Sequence, residues 1–346
     1  MTHTRTRLPQ IRVTVNARCG RACFFCRPSG EAVATSARAS IDPDALIRVA
    51  SVFRGHGISA MKLTGGDPAL WPPLVDSVRR LKHDVGFDHI QVLSRHPDFG
   101  ALAPALVDAG VSLLNMSIDT LRPTVHHDIT GIDDHADVLD ALLRCVQTGA
   151  PVIVNTVVMN GVNLDEIKEL VNYCAGVGVN AIKLLDVIAD LDQGDDTFAA
   201  RLNRLQARDY RDLYTPLDIL ISWLRDEAVS ESRMVQGGLG HPMLAFTMPS
   251  GLLVIVKDHR LGAWYGSICD GCAHYPCHDA LMALRLTADL RLQFCLLRDD
   301  ITVNLQPLLA ERSDDALEAT ISDALDVYDH ATFHESRSGH PQEHVS

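Results

Sequence analysis

Short apolar runs recur at near-regular intervals through the first half of the chain, over residues 11–15, 60–63, 90–93, 112–116, 152–158 and 181–185. Each is rich in Val, Ile or Leu, as strands buried in a parallel sheet are. Helix patterns lie between them, over 45–53, 72–81, 102–109, 136–148 and 164–175, with 217–227 as a sixth. Asp42-Pro43 offers the first helix an N-cap and a first-turn proline. Asn163 with Glu166 offers the fifth a capping box. Six strand–helix repeats with right-handed crossovers curl into a barrel or partial barrel. The predicted fold class is α/β, a partial (β/α)6 TIM-like barrel. An open doubly wound sheet is the alternative, because strand order is not written in one sequence. In either fold the chemistry belongs at the carboxyl ends of the strands.

The pattern changes after residue 185. Residues 188–214 are polar and read as a surface excursion. Beyond Val229 the repeat stops, and residues 243–247 and 252–256 read as a hairpin around Pro249-Ser250-Gly251. The tail from about Thr332 reads as disordered, with His334, His340 and His344 solvated in it. The predicted organisation is a core over 8–228, a smaller unit over 229–331 and a tail over 332–346.

With 346 residues, 47% of them hydrophobic, the chain suits one large domain or a large and a small one. No run approaches a membrane span, and the charged start, Met1-Thr2-His3-Thr4-Arg5-Thr6-Arg7, is not a secretory signal. A formal charge of -13 argues against a nucleic-acid partner. Nine cysteines without an export signal point to the reducing cytoplasm, where thiols serve metals or catalysis more often than disulfides.

Three of those cysteines carry the most information. Cys19, Cys23 and Cys26 are spaced C-x3-C-x2-C in a loop just after the first strand. Three thiolates hold three irons of a 4Fe-4S cube and leave the fourth iron open to a small molecule. Phe24-Phe25 inside the loop would keep water off such a cluster. Unrelated buried thiols or half a zinc site are the alternatives, and loop position, tight spacing and the unpaired third cysteine weigh against them.

The cysteine motif resembles that of the radical S-adenosylmethionine (SAM) superfamily. Further stretches resemble one branch, the GTP 3′,8-cyclases of molybdenum cofactor biosynthesis. These are Leu63-Thr64-Gly65-Gly66-Asp67-Pro68, Asn115-Met116-Ser117-Ile118-Asp119-Thr120-Leu121, Ile129-Thr130-Gly131, the run from Val154 to Asn163, and Leu284-Arg285-Leu286-Thr287-Ala288-Asp289 followed by Cys295. The resemblance implies that SAM chelates the open iron and is cleaved by one electron to a 5′-deoxyadenosyl radical, which takes hydrogen from a small-molecule substrate. It implies an electron donor such as flavodoxin or ferredoxin. Gly65, Gly66 and Asp67 then belong to the SAM site, Asp67 standing where Glu is usual. Ser94, Ser117, Asp119 and Lys183 join them as cofactor-binding positions. After Ser94, Arg95-His96 replaces the customary Asn-Gly, so that loop is expected to be reshaped.

Cys269, Cys272, Cys277 and Cys295 form a second set of thiols. Their spacing suits a zinc knuckle, and the resemblance favours a second 4Fe-4S cluster in a small C-terminal iron–sulfur domain. Relative to the family, an insertion around Cys277 adds a thiol. Four ligands would leave that cube no open iron; three would.

The family surrounds its nucleotide with cations. Here Arg12, Lys62 and Arg285 are retained as substrate-binding positions, Lys183 replaces a usual Arg, Ile153 replaces a usual Lys, and Ala283 replaces one arginine of an Arg-x-Arg pair. The customary terminal Gly-Gly is absent as well. Each lost cation removes a charge-assisted bond of roughly 1.5–3 kcal/mol to a phosphate. The pattern therefore predicts a radical SAM enzyme acting on a changed, still anionic, nucleotide- or sugar-like substrate. The GTP cyclase itself and a peptide-modifying radical SAM enzyme are the alternatives.

Overall fold

The computed structural model describes residues 5, 8–26, 40–187, 210–235, 242–261, 263–265, 283–295, 301–330 and 333–335. The repeats of the first half become β1 (Gln10–Thr14), α1 (Pro43–Gly55), β2 (Ala60–Thr64), α2 (Leu74–Arg80), β3 (His89–Ser94), α3 (Asp98–Asp108) and β4 (Leu113–Ser117). They continue as α4 (Pro123–Thr130), α5 (His135–Gln147), β5 (Val152–Val157), α6 (Ile167–Val177), β6 (Ala181–Leu185) and α7 (Asp218–Glu227). The cap expected on α1 is present: Asp42 Oδ1 accepts from Ala45 N at 2.9 Å, with proline in the first turn.

The capping box expected at Asn163 is not. Asn163 is fully buried and spends its side chain on Met159 N (2.7 Å), Asp119 O (2.7 Å) and Val157 O (2.8 Å). Glu166 accepts instead from Thr120 Oγ1 and, at 3.1 Å, from Leu121 N. Both residues fasten the loops after β4 and β5 to each other.

The strands β1 to β6 are parallel neighbours in unbroken sequence order. A doubly wound sheet would reverse direction at a switch point, so the partial barrel is the fold. The sheet is strongly curved. Arg12 on β1 lines the same cavity as residues of a strand six positions along, about 29 Å away if the sheet were flat.

The remaining strands are β7 (Ser230–Val235), β8 (Pro242–Thr247), β9 (Leu253–Lys257), β10 (Ala263–Tyr265), β11 (Ala283–Leu286), β12 (Arg291–Gln293), β13 (Thr302–Asn304) and β14 (Phe333–Glu335). The expected hairpin is β8–β9, antiparallel around a turn in which Gly251 N donates to Met248 O at 2.8 Å. The predicted boundary at residues 228 and 229 falls within a continuous sheet. Strand β9 pairs parallel with β6 at one edge, and β11 pairs parallel with β1 at the other. Helix α8 (Asp314–Asp329) packs on α1. Residues 333–335, expected in a disordered tail, are extended and pair with β10, whose backbone groups supply their ladder.

The main core lies between the sheet and the helices and takes alternate strand residues: Ile11 and Val13, Met61 and Leu63, Ile90 and Val92, Leu114 and Met116. Among the described residues no helix is long and apolar enough to cross a membrane.

Candidate functional site

The other strand face, one residue out of phase, lines a cavity of about 420 Å³. It presents Arg12, Lys62, Gln91, Asn115, Asn155, Lys183 and Lys257 among aliphatic neighbours such as Leu93 and Ile153. Cys19, Cys23 and Cys26 line the same cavity at the carboxyl ends of the strands, with Gly65, Gly66, Asp67, Ser94, Ser117 and Asp119.

Contacts between neighbouring loops build this rim. Gly66 N donates to Asn16 O at 2.6 Å and Asp67 N to Arg18 O at 2.7 Å, while Asn16 Nδ2 donates to Asp67 O at 3.0 Å. The approach is so close that a Cβ on Gly66 would lie 2.4 Å from Arg18 O, and one on Gly65 would lie 2.7 Å from Asn16 O. Glycine is required at both for this reason. On the other side, Ala22 N donates to Thr130 O at 2.9 Å. Arg21 reaches down to Asp134 with two bonds of 2.9 and 2.5 Å, and His126 Nε2 meets the same carboxylate at 2.9 Å. Burial alone would raise the Asp134 carboxyl, but the bonds from Arg21 and then His126 hold it at about 2.

Arg95 is the rim's second cation. Its Nη2 lies 2.7 Å from Asp119 Oδ2, and its guanidinium sits 5.6 Å from the centre of the Phe25 ring. Burial pushes the Cys19 thiol up to about 11, with Asp67 and Cys23 adding to it, and burial raises Cys23 as well. Arg95 opposes both shifts, as Arg21 does at Cys23. The Asp67 side chain is turned inward: its carboxylate accepts from Ser94 Oγ (2.6 Å), Arg95 N (2.8 Å) and Ala69 N (3.0 Å). Asp67 and Ser94 thus tie the second loop to the end of β3. Asp119 also accepts from Val157 N at 2.8 Å, spanning β4 and β5.

The donor set suits a cluster. Three soft thiols face one cavity, and bound metal would deprotonate them against the burial that now raises them. Among the described residues no three His, Cys, Asp or Glu converge on a single ion. A cube does not ask for that, since each of its irons takes one thiolate. Phe24 is buried beside Ile129, Met159 and Val187 in an apolar cluster that includes Cys23, which keeps water from that side of the loop.

On the strand wall, Arg12, Lys62, Lys183 and Lys257 face one space. Burial first, then Lys257, Lys62 and Arg12, holds the Lys183 ammonium well below its ordinary value. Arg285, opposite Arg12 in register, is 1% exposed and is not among the residues lining the cavity. Cys295 is half-buried beyond β12 and does not line it either. Cys145 and Cys174 are core residues. Cys269, Cys272 and Cys277 lie outside the described residues.

Sequence reasoning missed Arg21, Asp134, His126 and Lys257, and read Arg95 only as a change of loop. The signal for Lys257 is parity: with Val254 and Val256 in the core, Ile255 and Lys257 must face the other way.

Comparison with known proteins agrees with this architecture. Residues 13–174 match the model of the Radical SAM superfamily. The chain is 24% identical over 322 residues to the probable GTP 3′,8-cyclase of Sulfurisphaera tokodaii, covering 93% of this chain and 91% of that protein. It is 29% identical over 310 residues to the probable GTP 3′,8-cyclase of Pyrococcus horikoshii, covering 88% and 89%. Among solved structures, Streptococcus suis SuiB bound to precursor peptide SuiA matches with a TM-score of 0.54 at 12% identity, over 91% of this chain and 67% of that one. At that identity the likeness speaks for the fold alone.

Proposed function

We propose that this chain, which carries a radical SAM domain and is an enzyme, acts on a small anionic substrate, nucleotide- or sugar-like, held below its cysteine rim. One observation carries the reading: the three cysteines and the cations Arg12, Lys62 and Lys183 open onto a single cavity of about 420 Å³, a size suited to small ligands.

In this reading Cys19, Cys23 and Cys26 would hold a 4Fe-4S cluster with SAM bound beside it. The pair would supply homolytic cleavage to a 5′-deoxyadenosyl radical. The chain's residues orient and enclose. The Gly65-Gly66 backbone and Ser117 face SAM, while Asp67, Ser94 and Asp119 fix the loops that shape its seat. Arg12 and Lys62 bind the substrate's negative charge, and we read Lys183, expected from the resemblance as a cofactor-binding position, as serving the same task because it faces the cavity beside them. Phe24 and Phe25 exclude water. An electron donor such as flavodoxin or ferredoxin would serve the cluster. Cys269, Cys272, Cys277 and Cys295 remain our candidates for a second 4Fe-4S cluster, in a C-terminal unit over 229–331.

A second reading, the GTP 3′,8-cyclase, is favoured by the names of the relatives and by Lys257, a further cation on the same cavity. Anaerobic reconstitution with dithionite tests both. Wild-type protein should form 5′-deoxyadenosine from SAM, and Cys23→Ala should not. If GTP alone triggers that product, with a pterin precursor formed, the cyclase reading replaces ours. If no SAM is cleaved under any condition, both fail.

A further inference from the structure

Two carboxamides on the inward strand face turn to the cavity rather than to the protein. Asn115 is carried by β4 and Asn155 by β5, and both line the cavity. Their parity sets that direction, since Leu114, Met116 and Val154 beside them fill the main core. Asn115 is 4% exposed. The Oδ1 atoms of Asn115 and Asn155 are both buried, and among the described residues neither accepts a hydrogen bond. Asn163, by contrast, uses both ends of its amide on the protein itself.

Asn155 lies in register with Ser117, two residues beyond Asn115. At about 4.8 Å between strands and about 3.3 Å per residue, the two asparagine Cα atoms stand roughly 8 Å apart. Side chains so placed reach a single small group lying between them. Leu93 and Ile153 flank Asn115 in register on the neighbouring strands, and both line the cavity. The pair thus sits among aliphatic side chains, level with Ser117 and one step further from the cysteine rim.

We propose, resting on the function just given, that Asn115 and Asn155 are specificity-determining residues that together accept hydrogen bonds from hydroxyl groups of a sugar ring in the substrate. A buried acceptor without a donor carries a desolvation cost, which a bound hydroxyl removes. The neighbours favour a sugar over a flat aromatic base at this place. Among the described residues, Phe25 is the one aromatic ring that lines the cavity, and it stands in the cysteine loop against Arg95. A base draws much of its hold from a ring to stack on. A saturated ring lies against Leu93 and Ile153 and turns its hydroxyls to the two amides.

The test titrates the full chain, its cluster reconstituted anaerobically, with D-ribose 5-phosphate and its 2-deoxy and 3-deoxy analogues in a calorimeter. Wild type should bind ribose 5-phosphate saturably, and at least one analogue about ten-fold more weakly. Asn115→Leu and Asn155→Leu should each weaken ribose 5-phosphate by about ten-fold and bring the three sugars within about three-fold of one another. Neither variant should melt below wild type, because no hydrogen bond to Oδ1 within the protein is lost. Should one fail to fold, Asn115→Ala or Asn155→Ala replaces it. Equal affinity for the three sugars in wild type overturns the proposal and leaves an anionic substrate standing. A preference that survives undiminished in both variants overturns it as well, and so does wild type that binds no ribose 5-phosphate. The radical reading is judged separately, by 5′-deoxyadenosine formation from SAM, so either idea can fail without the other.

Discussion

The loops at the rim of the cavity and the strands of its wall handle charge in different ways. At the rim the described charges are held in place, Arg21 by Asp134, Arg95 by Asp119, and Asp67 by a hydroxyl and two amides. The wall gathers like charges, Arg12, Lys62, Lys183 and Lys257. A compensated site is preorganised and holds its shape before anything binds. The wall turns its cations toward the space that a substrate would fill. The difference teaches that the loops of the rim are tied to one another by the fold itself, while the wall spends its charged side chains on the cavity.

The largest effect should come from removing the rim's chemistry. The triple variant of Cys19, Cys23 and Cys26 to Ala should lose about four irons and four sulfides per chain after reconstitution, together with all 5′-deoxyadenosine formation. If it retains wild-type iron, the cluster lies elsewhere and the comparison dissolves.

Next in size is Gly66→Ala. Its Cβ would fall 2.4 Å from Arg18 O, where backbone faces backbone and neither can yield cheaply. We expect a loss of about 1–3 kcal/mol in urea unfolding and reduced iron content. An unchanged urea midpoint would show that the loops are looser than their hydrogen bonds imply.

Asp134→Asn gives a smaller effect with a distinct pH signature. Because the Asp134 carboxyl is held at about 2, the unfolded chain takes up its proton first as pH falls. Its contribution to stability is whole above about 4 and is lost progressively down to about 2. The variant's midpoint should be lower than wild type near pH 7, and the two should converge by pH 2; parallel curves would deny Asp134 this role.

The smallest change tests the wall. With Lys183 held below its ordinary value, the unfolded chain binds more protons up to the ordinary lysine pKa near 10.4, so stability rises with pH across that window. Lys183→Met should flatten the rise, raise the urea midpoint slightly at pH 7, and weaken triphosphate binding. Stability unchanged at every pH would mean the like charges cost nothing.

Much of this was legible in sequence, and the reason differs from part to part. Runs such as 181–185 coincide with β6 because a strand in a covered sheet carries little else, and Asp42-Pro43 announced α1 through local cap chemistry. That Cys19, Cys23 and Cys26 would share one site was legible because a loop so short leaves them little choice, and they line one cavity. The capping box failed because Asn163 and Glu166 found tertiary partners stronger than the local ones. Lys257 was illegible because a lysine closing an apolar strand reads as an ordinary strand end; only pairing with β6 turns it inward. Asp134 and Arg21 are far apart in sequence, and nothing local foretells their meeting.

The placement of β11 beside β1 has a consequence for the life of the chain. The first strand leaves the ribosome early but gains its outer neighbour only after residue 283, on the order of tens of seconds later at ordinary rates of synthesis. Until then one flank of the nascent sheet lies open, a risk for stray pairing between chains but also an entrance. If iron and sulfide are to reach the thiols as we propose, this interval before the last strands pair would be open to them.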